Sequence, residues 1–212
     1  MSIKLFGHRV LLKHEKLESK SKIVIPDVAG KHDLNRTGRV KVVGDGKVKN
    51  GITGQVEVKP ALVKVDDMVM FQINDIMKWA QIYRDGKDDL IYMLQHELIA
   101  RINGDEATTD TFEILGDFVL VKPEIRKLGE GLVLPDSIKS PDMIHYTVVQ
   151  MGSTVELPIH VGQEVICNHG RVNPIFIPEK QADGAPIQIE YGYIFKDFVH
   201  GMVDAERAAH KA

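Results

Sequence analysis

The sequence predicts an all-β chain made of two copies of one small barrel or sandwich. Three observations predict it. Short runs rich in Val, Ile and Leu alternate with Gly-marked turns, and no long stretch carries a helical apolar stripe. The stretch Ile23-Val24-Ile25-Pro26-Asp27 recurs as Leu132-Val133-Leu134-Pro135-Asp136, at an offset of 132 − 23 = 109. The segment upstream, His8-Arg9-Val10-Leu11-Leu12-Lys13-His14-Glu15, recurs at the same offset as Asp117-Phe118-Val119-Leu120-Val121-Lys122-Pro123-Glu124. Two features in one order at one offset indicate a duplicated domain, and a period near 110 residues is too long for a solenoid repeat.

The elements follow in order. Arg9 to Lys13 is a β-branched and Leu-rich strand, ended by the charged run His14 to Lys22. Leu17 to Arg36 has no aromatic residue and is polar apart from the tripeptide and a few scattered apolar residues, which predicts a long mobile loop. Val40 and Val42 then alternate with Arg39 and Lys41, as in a half-buried strand. Gly44-Asp45-Gly46 is a tight turn, and Asn50-Gly51 marks an inserted hairpin between Lys47 and Val63. A turn and a strand follow at Val65 to Phe71. Ile76 to Tyr83 and Leu90 to Leu94 flank Asp85-Gly86 as a further hairpin, and Glu97 to Ile102 is a short closing strand.

The second half repeats the order with edits. Tyr146 to Gly152 takes the place of Gly38 to Gly44 at offset 108, and Val161 to Cys167 that of Val65 to Phe71 at offset 161 − 65 = 96. The drop from 108 to 96 removes 12 residues, so the inserted hairpin shrinks to Ser153 to His160. Ile194 to Val199 answers to the first ending. The predicted organisation is a first unit at 1–103, with its loop at about 17–36 and its hairpin at about 44–63. A polar linker follows at 104–111. The second unit spans 112–204, with a loop at about 125–145, and 205–212 form a tail.

Composition narrows the function classes. The chain has 212 residues, 43% hydrophobic and 27% charged, which suits one large or two modest globular domains. A net charge of −3 argues against nucleic acid or an anionic membrane as the main partner. No apolar run approaches a membrane span, and the first residues lack the apolar core of a signal peptide. A single cysteine, Cys167, excludes an internal disulfide and a Cys-rich zinc site, and fits a reducing cytosol. Cys167 and His169 alone are too few to hold a metal. Neither a phosphate loop nor a nucleophile-and-base set is present, so no catalytic residue, cofactor or metal ligand is assigned. Trp79, Tyr83 and Tyr92 suit core or inter-subunit packing better than stacking on bases.

The apolar tripeptides are the candidate binding residues. A buried aliphatic side chain contributes about 1.5–3 kcal/mol, so three offer roughly 5–9. Ordering each backbone residue of a mobile loop costs about 1–2 kcal/mol. One loop therefore binds weakly, and several presented together recover affinity through effective concentration. Pro26 and Pro135 bias Ile25 and Leu134 towards extended backbone, the form that lies in an apolar groove. The second loop is shorter and also holds Ile138, Pro141 and Met143, so packing against its own barrel is open for it.

This ordered set resembles the GroES-type co-chaperonins, the chaperonin-10 family, in a tandem two-domain form. The features that carry the resemblance are the strand His8 to Lys13, the polar loop with Ile23-Val24-Ile25, the strand and turn Gly38 to Gly46, the hairpin, Val65 to Phe71 and the ending His96 to Ile102. The first half matches almost throughout, and the second in its strand, its tripeptide and Val161 to Cys167. The resemblance implies two tandem GroES-like Greek-key β-barrels joined by the short polar linker. It implies a ring-shaped homo-oligomer, commonly of seven barrels, with a dome roofed by the hairpins. Its loops, through Ile23, Val24, Ile25, Leu132, Val133 and Leu134, would dock on a GroEL-type chaperonin. The ring would cap a chamber in which an unfolded client protein folds.

The co-chaperonin itself would be no enzyme, since ATP is bound and hydrolysed by the chaperonin. The implied location is the cytoplasm; an organelle stroma, or a bacteriophage-encoded protein acting in a bacterial host, stays open. The alternative reading is a structural or scaffold ring on the same duplicated barrel that never meets a chaperonin. A part of a medium-chain dehydrogenase is disfavoured by the missing nucleotide-binding domain and zinc cysteines.

Overall fold

The computed structural model describes residues 3–15, 35–72, 82–85, 88–104, 108–124, 143–180 and 186–203. They form fifteen strands and short 3-10 turns, and among them there is no α-helix. The predicted all-β class is the class observed. The first repeat contributes β1 (Arg9–His14), β2 (Asn35–Val43), β3 (Lys47–Lys49), β4 (Val56–Val58), β5 (Met68–Gln72), β6 (Ile82–Asp85), β7 (Asp88–Leu94) and β8 (Leu98–Ile102). After the linker come β9 (Phe112–Ile114), β10 (Phe118–Pro123), β11 (Met143–Met151), β12 (Glu164–Asn168), β13 (Asn173–Lys180), β14 (Pro186–Phe195) and β15 (Val199–Met202).

Two antiparallel sheets hold thirteen of these strands, in the orders β6-β7-β1-β2-β5-β8-β9 and β13-β14-β10-β11-β12-β15, and β3 and β4 pair as a separate two-stranded ribbon. In each, the chain runs through three neighbouring strands, crosses to a hairpin beside the first, and returns beside the third, the crossing pattern of a Greek key. Pro174 and Pro178 sit in β13, an edge strand, where the missing amide costs no ladder bond on the solvent side.

The duplication extends to hydrogen-bond register. Val10 faces Val43 as Val119 faces Met151, and both pairs of strands carry a bulge one residue on, between Leu11 and Leu12 and between Leu120 and Val121. Val69 faces Arg101 as Val165 faces Met202, again with a bulge at the same place in each. The Gly44 amide donates to the Arg9 carbonyl at 2.8 Å, and the Gly152 amide to the Phe118 carbonyl at 2.9 Å. At either glycine a Cβ would run into a backbone carbonyl, that of Gly7 or that of Gly116, so no other residue fits the crossing.

Three cores result. Val10, Leu12, Val69 and Phe71 fill the first barrel, and Val119, Val121, Val165 and Ile194 fill the second. The third lies between the two repeats. Met68, Met70 and Ile102 from the first pack against Leu120, Ile177 and Tyr193 from the second. All four of Met68, Val69, Met70 and Phe71 are buried, because one face of β5 lines its own barrel and the other lines this shared core. The Gln72 amide donates to the Tyr193 hydroxyl across the same junction. Tyr193→Ala empties a site that is 1% exposed and removes that bond. It is expected to cost roughly 3–5 kcal/mol, read as a lower urea midpoint of unfolding.

Candidate functional site

The candidate binding residues Ile23, Val24, Ile25, Leu132, Val133 and Leu134 lie outside the described residues, as does Trp79. What is described is the frame that presents them. The first tripeptide lies in the connection from β1 to β2, the second in that from β10 to β11. These are twin connections at one end of twin strand pairs. Each tripeptide begins nine residues past its strand (23 − 14 and 132 − 123).

Both connections leave through a stapled stem. The Glu15 amide donates to the Thr37 carbonyl at 3.2 Å, and the Glu124 amide to the His145 carbonyl at 3.1 Å. The Thr37 hydroxyl donates back to the Glu15 carbonyl at 2.6 Å. The Arg39 guanidinium grips the Glu15 carboxylate through Nε and through Nη2 at 2.9 Å, and reaches the Asp66 carbonyl at 3.0 Å. In the second repeat Thr147 stands where Arg39 does, and its hydroxyl donates to the Glu124 carboxylate. A carboxylate fastened to the next strand thus marks both points where the loops depart.

The hydrogen bonds from Arg39 hold the Glu15 carboxyl below the usual glutamate range. A depressed folded value contributes stability above the unfolded value of about 4.3, and loses it as pH falls through the folded one. Acidification from neutral pH into that window is expected to loosen the first stem. Glu15→Gln should show a smaller fall in melting temperature between pH 6 and the acid limb than the parent, with both followed by circular dichroism.

The hairpin β3–β4 stands on the first barrel alone. Its base is tied by the Lys59 amide donating to Gly46 at 3.0 Å, and by the Gly46 amide donating to Gly7 at 3.1 Å. Its side chains are exposed apart from the half-buried Val48, with Ile52 at 96%. The matching stretch of the second repeat closes as a turn, in which the Val155 amide donates to Gly152 and the Thr154 amide to Gly116.

Cys167 is fully buried in the second core, and burial pushes its thiol up to about 12. A thiol so placed stays protonated and unreactive. It should resist a thiol reagent at pH 8 in the native protein and react completely in denaturant.

Sequence reasoning missed the junction between the repeats. It assigned Phe112 onwards to the second unit, yet β9 pairs with β8 of the first, Ala100 facing Ile114 and Ile102 facing Phe112. Arg101 clasps Glu113 at 2.6 Å across this pair and also reaches Asp67. Leu115 follows and is 3% exposed within the first core. The available signal was the unbroken apolar run Met68 to Phe71, which a strand with one wet face would not carry.

A search of curated proteins returned no match to the chain. The family model of the chaperonin 10 kDa subunit matches residues 2–102. That span takes in β1 to β8, both sides of the first loop and the exposed hairpin. The match is thus to the first repeat, and that part of the chain, a Greek-key barrel with a stapled loop stem, is similar to the chaperonin 10 kDa subunit.

Proposed function

We propose that the protein is a tandem co-chaperonin that caps a GroEL-type chaperonin through Ile23-Val24-Ile25 and Leu132-Val133-Leu134. The observation that carries this reading is the twin stem. Two apolar tripeptides, equally spaced from their strands, leave equivalent points of one repeated frame whose first copy matches the family. Each loop contributes a small net affinity, and the frame supplies the multivalency that turns several weak contacts into a firm but reversible cap. The protein does no chemistry of its own. ATP binding and hydrolysis belong to the chaperonin, and an unfolded client protein folds in the closed chamber. The setting that fits a lone buried cysteine is the cytoplasm.

Nucleotide-dependent co-sedimentation with a GroEL-type chaperonin tests the reading. The parent should sediment with the chaperonin only when nucleotide is present. Val24→Asp places an uncompensated carboxylate in an apolar groove and should weaken capture more than tenfold. Val133→Asp reports whether the second loop docks as well. A parent that sediments with no chaperonin offered, its own host's included, would replace the lid by a structural ring.

A further inference from the structure

The tip of the β3–β4 ribbon sets up a covalent reaction of the chain with itself. Asn50 and Gly51 are both exposed, and a Cβ added at Gly51 would meet nothing within 4 Å, so no neighbour shields the peptide bond between them. The Asn50 side chain folds forward over the turn. Its Oδ1 accepts from the Ile52 amide at 2.9 Å and from the Thr53 amide at 3.1 Å. The ring closed by the Ile52 bond contains both the Asn50 Cγ and the Gly51 nitrogen, so the two are confined to one small loop of atoms. The turn is fixed around them. The Asn50 amide donates to the Gln55 carbonyl at 2.8 Å, and the Gly54 amide to the Asn50 carbonyl at 2.9 Å. Among the described residues, neither the Gly51 amide nor the Asn50 Nδ2 has an acceptor.

These are the conditions for attack of a backbone nitrogen on a side-chain amide. Two amide donors aimed at Oδ1 polarise the Asn50 side-chain carbonyl and stabilise the charge its oxygen gains on becoming tetrahedral, as an oxyanion hole does. The nucleophile is unbonded, and glycine brings no Cβ to obstruct its approach. The leaving nitrogen is unbonded too. The chain's other Asn-Gly pair, Asn103-Gly104, is built the opposite way. Its Nδ2 donates to the Glu113 carboxylate at 3.2 Å, which ties down the leaving group. That carboxylate also places a negative charge next to the one that attack would create. Among the described residues no amide donates to the Asn103 Oδ1.

We propose that Asn50 is a site of self-modification, converted in the folded chain through a succinimide to aspartate and isoaspartate. The Gly51 nitrogen gives up its proton to water and attacks the Asn50 Cγ. A bond forms between that nitrogen and Cγ, the bond from Cγ to Nδ2 breaks, and Nδ2 takes up a proton and leaves as ammonia. One water then opens the five-membered imide. Breaking the new bond leaves aspartate at position 50. Breaking the original peptide bond leaves isoaspartate, with the main chain rerouted through the side chain. Nothing is oxidised or reduced, and water is the only co-reactant. Either product adds one negative charge, taking the net charge from −3 to −3 − 1 = −4. The ribbon is tied at its base by Lys59, Gly46 and Gly7, so the barrel and the loop stem keep their structure while the tip changes. The inference stands on this turn alone and does not depend on chaperonin docking.

Peptide mapping by mass spectrometry tests it on the full native chain, sampled during incubation at mildly alkaline pH. Trypsin puts the two pairs on separate peptides, since Lys64 and Arg101 lie between them. The expected result is loss of ammonia at Asn50, then a mixture of aspartate and isoaspartate there, at a rate that rises with pH. Conversion of Asn50 should be about tenfold or more faster than that of Asn103, the weight of a small part of an oxyanion hole. In denaturant both turns are lost and the two rates should converge. Asn50→Ser keeps a side-chain oxygen that can cap the turn and has no amide to lose. It should abolish the isoaspartate of this peptide and leave the circular dichroism spectrum unchanged. Native Asn50 that stays intact while the denatured chain converts overturns the proposal. So do equal rates at the two pairs in the native chain, or a preference for Asn50 that persists undiminished in denaturant.

Discussion

The rest of the structure depends on the burial of both faces of β5 and β8. Their inner faces build the first barrel through Val69, Phe71 and Leu98. Their outer faces meet the second repeat through Met68, Met70, Ala100 and Ile102. Parting the repeats would put these outer residues in water, at about 25 cal/mol for each Å² of apolar surface exposed. It would also leave the β8 edge without β9. The linker adds little constraint by comparison. At its two ends the Asn103 amide donates to the Thr111 carbonyl at 2.7 Å, which continues the pairing of β8 with β9. Packing, not tethering, makes the two repeats one body.

The fold was legible in the sequence to the extent that it is local. Alternation at Arg39 to Val42, the glycine-marked turns and the Asn50-Gly51 hairpin signal each depend on a few neighbouring residues, and β2 and the β3–β4 hairpin lie where those signals do. The repeat offsets were legible too, because register and bulges follow the sequence match. The junction was less so. Phe112-Glu113-Ile114 reads as a strand in isolation, but nothing local says which sheet it joins. That choice is made by the unpaired edge of β8 and by a gap in another repeat's core. The contrast between Met68-Val69-Met70-Phe71 and its twin Glu164-Val165-Ile166-Cys167 does carry the information. The first run is buried throughout, while the second alternates between half-buried and buried. The candidate tripeptides were legible only by composition and recurrence, since Ile23-Val24-Ile25 and Leu132-Val133-Leu134 each stand in a largely polar stretch without the alternation that marks β2.

The shortened roof of the second repeat shows how a deletion is absorbed. In the first repeat, His8 lies 3.0 Å from the Pro60 carbonyl at the base of the hairpin stalk. Its twin, Asp117, has no stalk to hold. It accepts instead from the Thr154 hydroxyl at 2.6 Å and pairs with Lys196 at 2.7 Å. Burial pushes the Asp117 carboxyl up, and these bonds together outweigh it and hold the group below its ordinary value. A change of residue type at one repeated position thus follows a change of loop length at another. The hairpin itself adds no core, since Val56 and Val58 are more than half exposed, and a two-stranded ribbon of this kind is marginal without its anchored base.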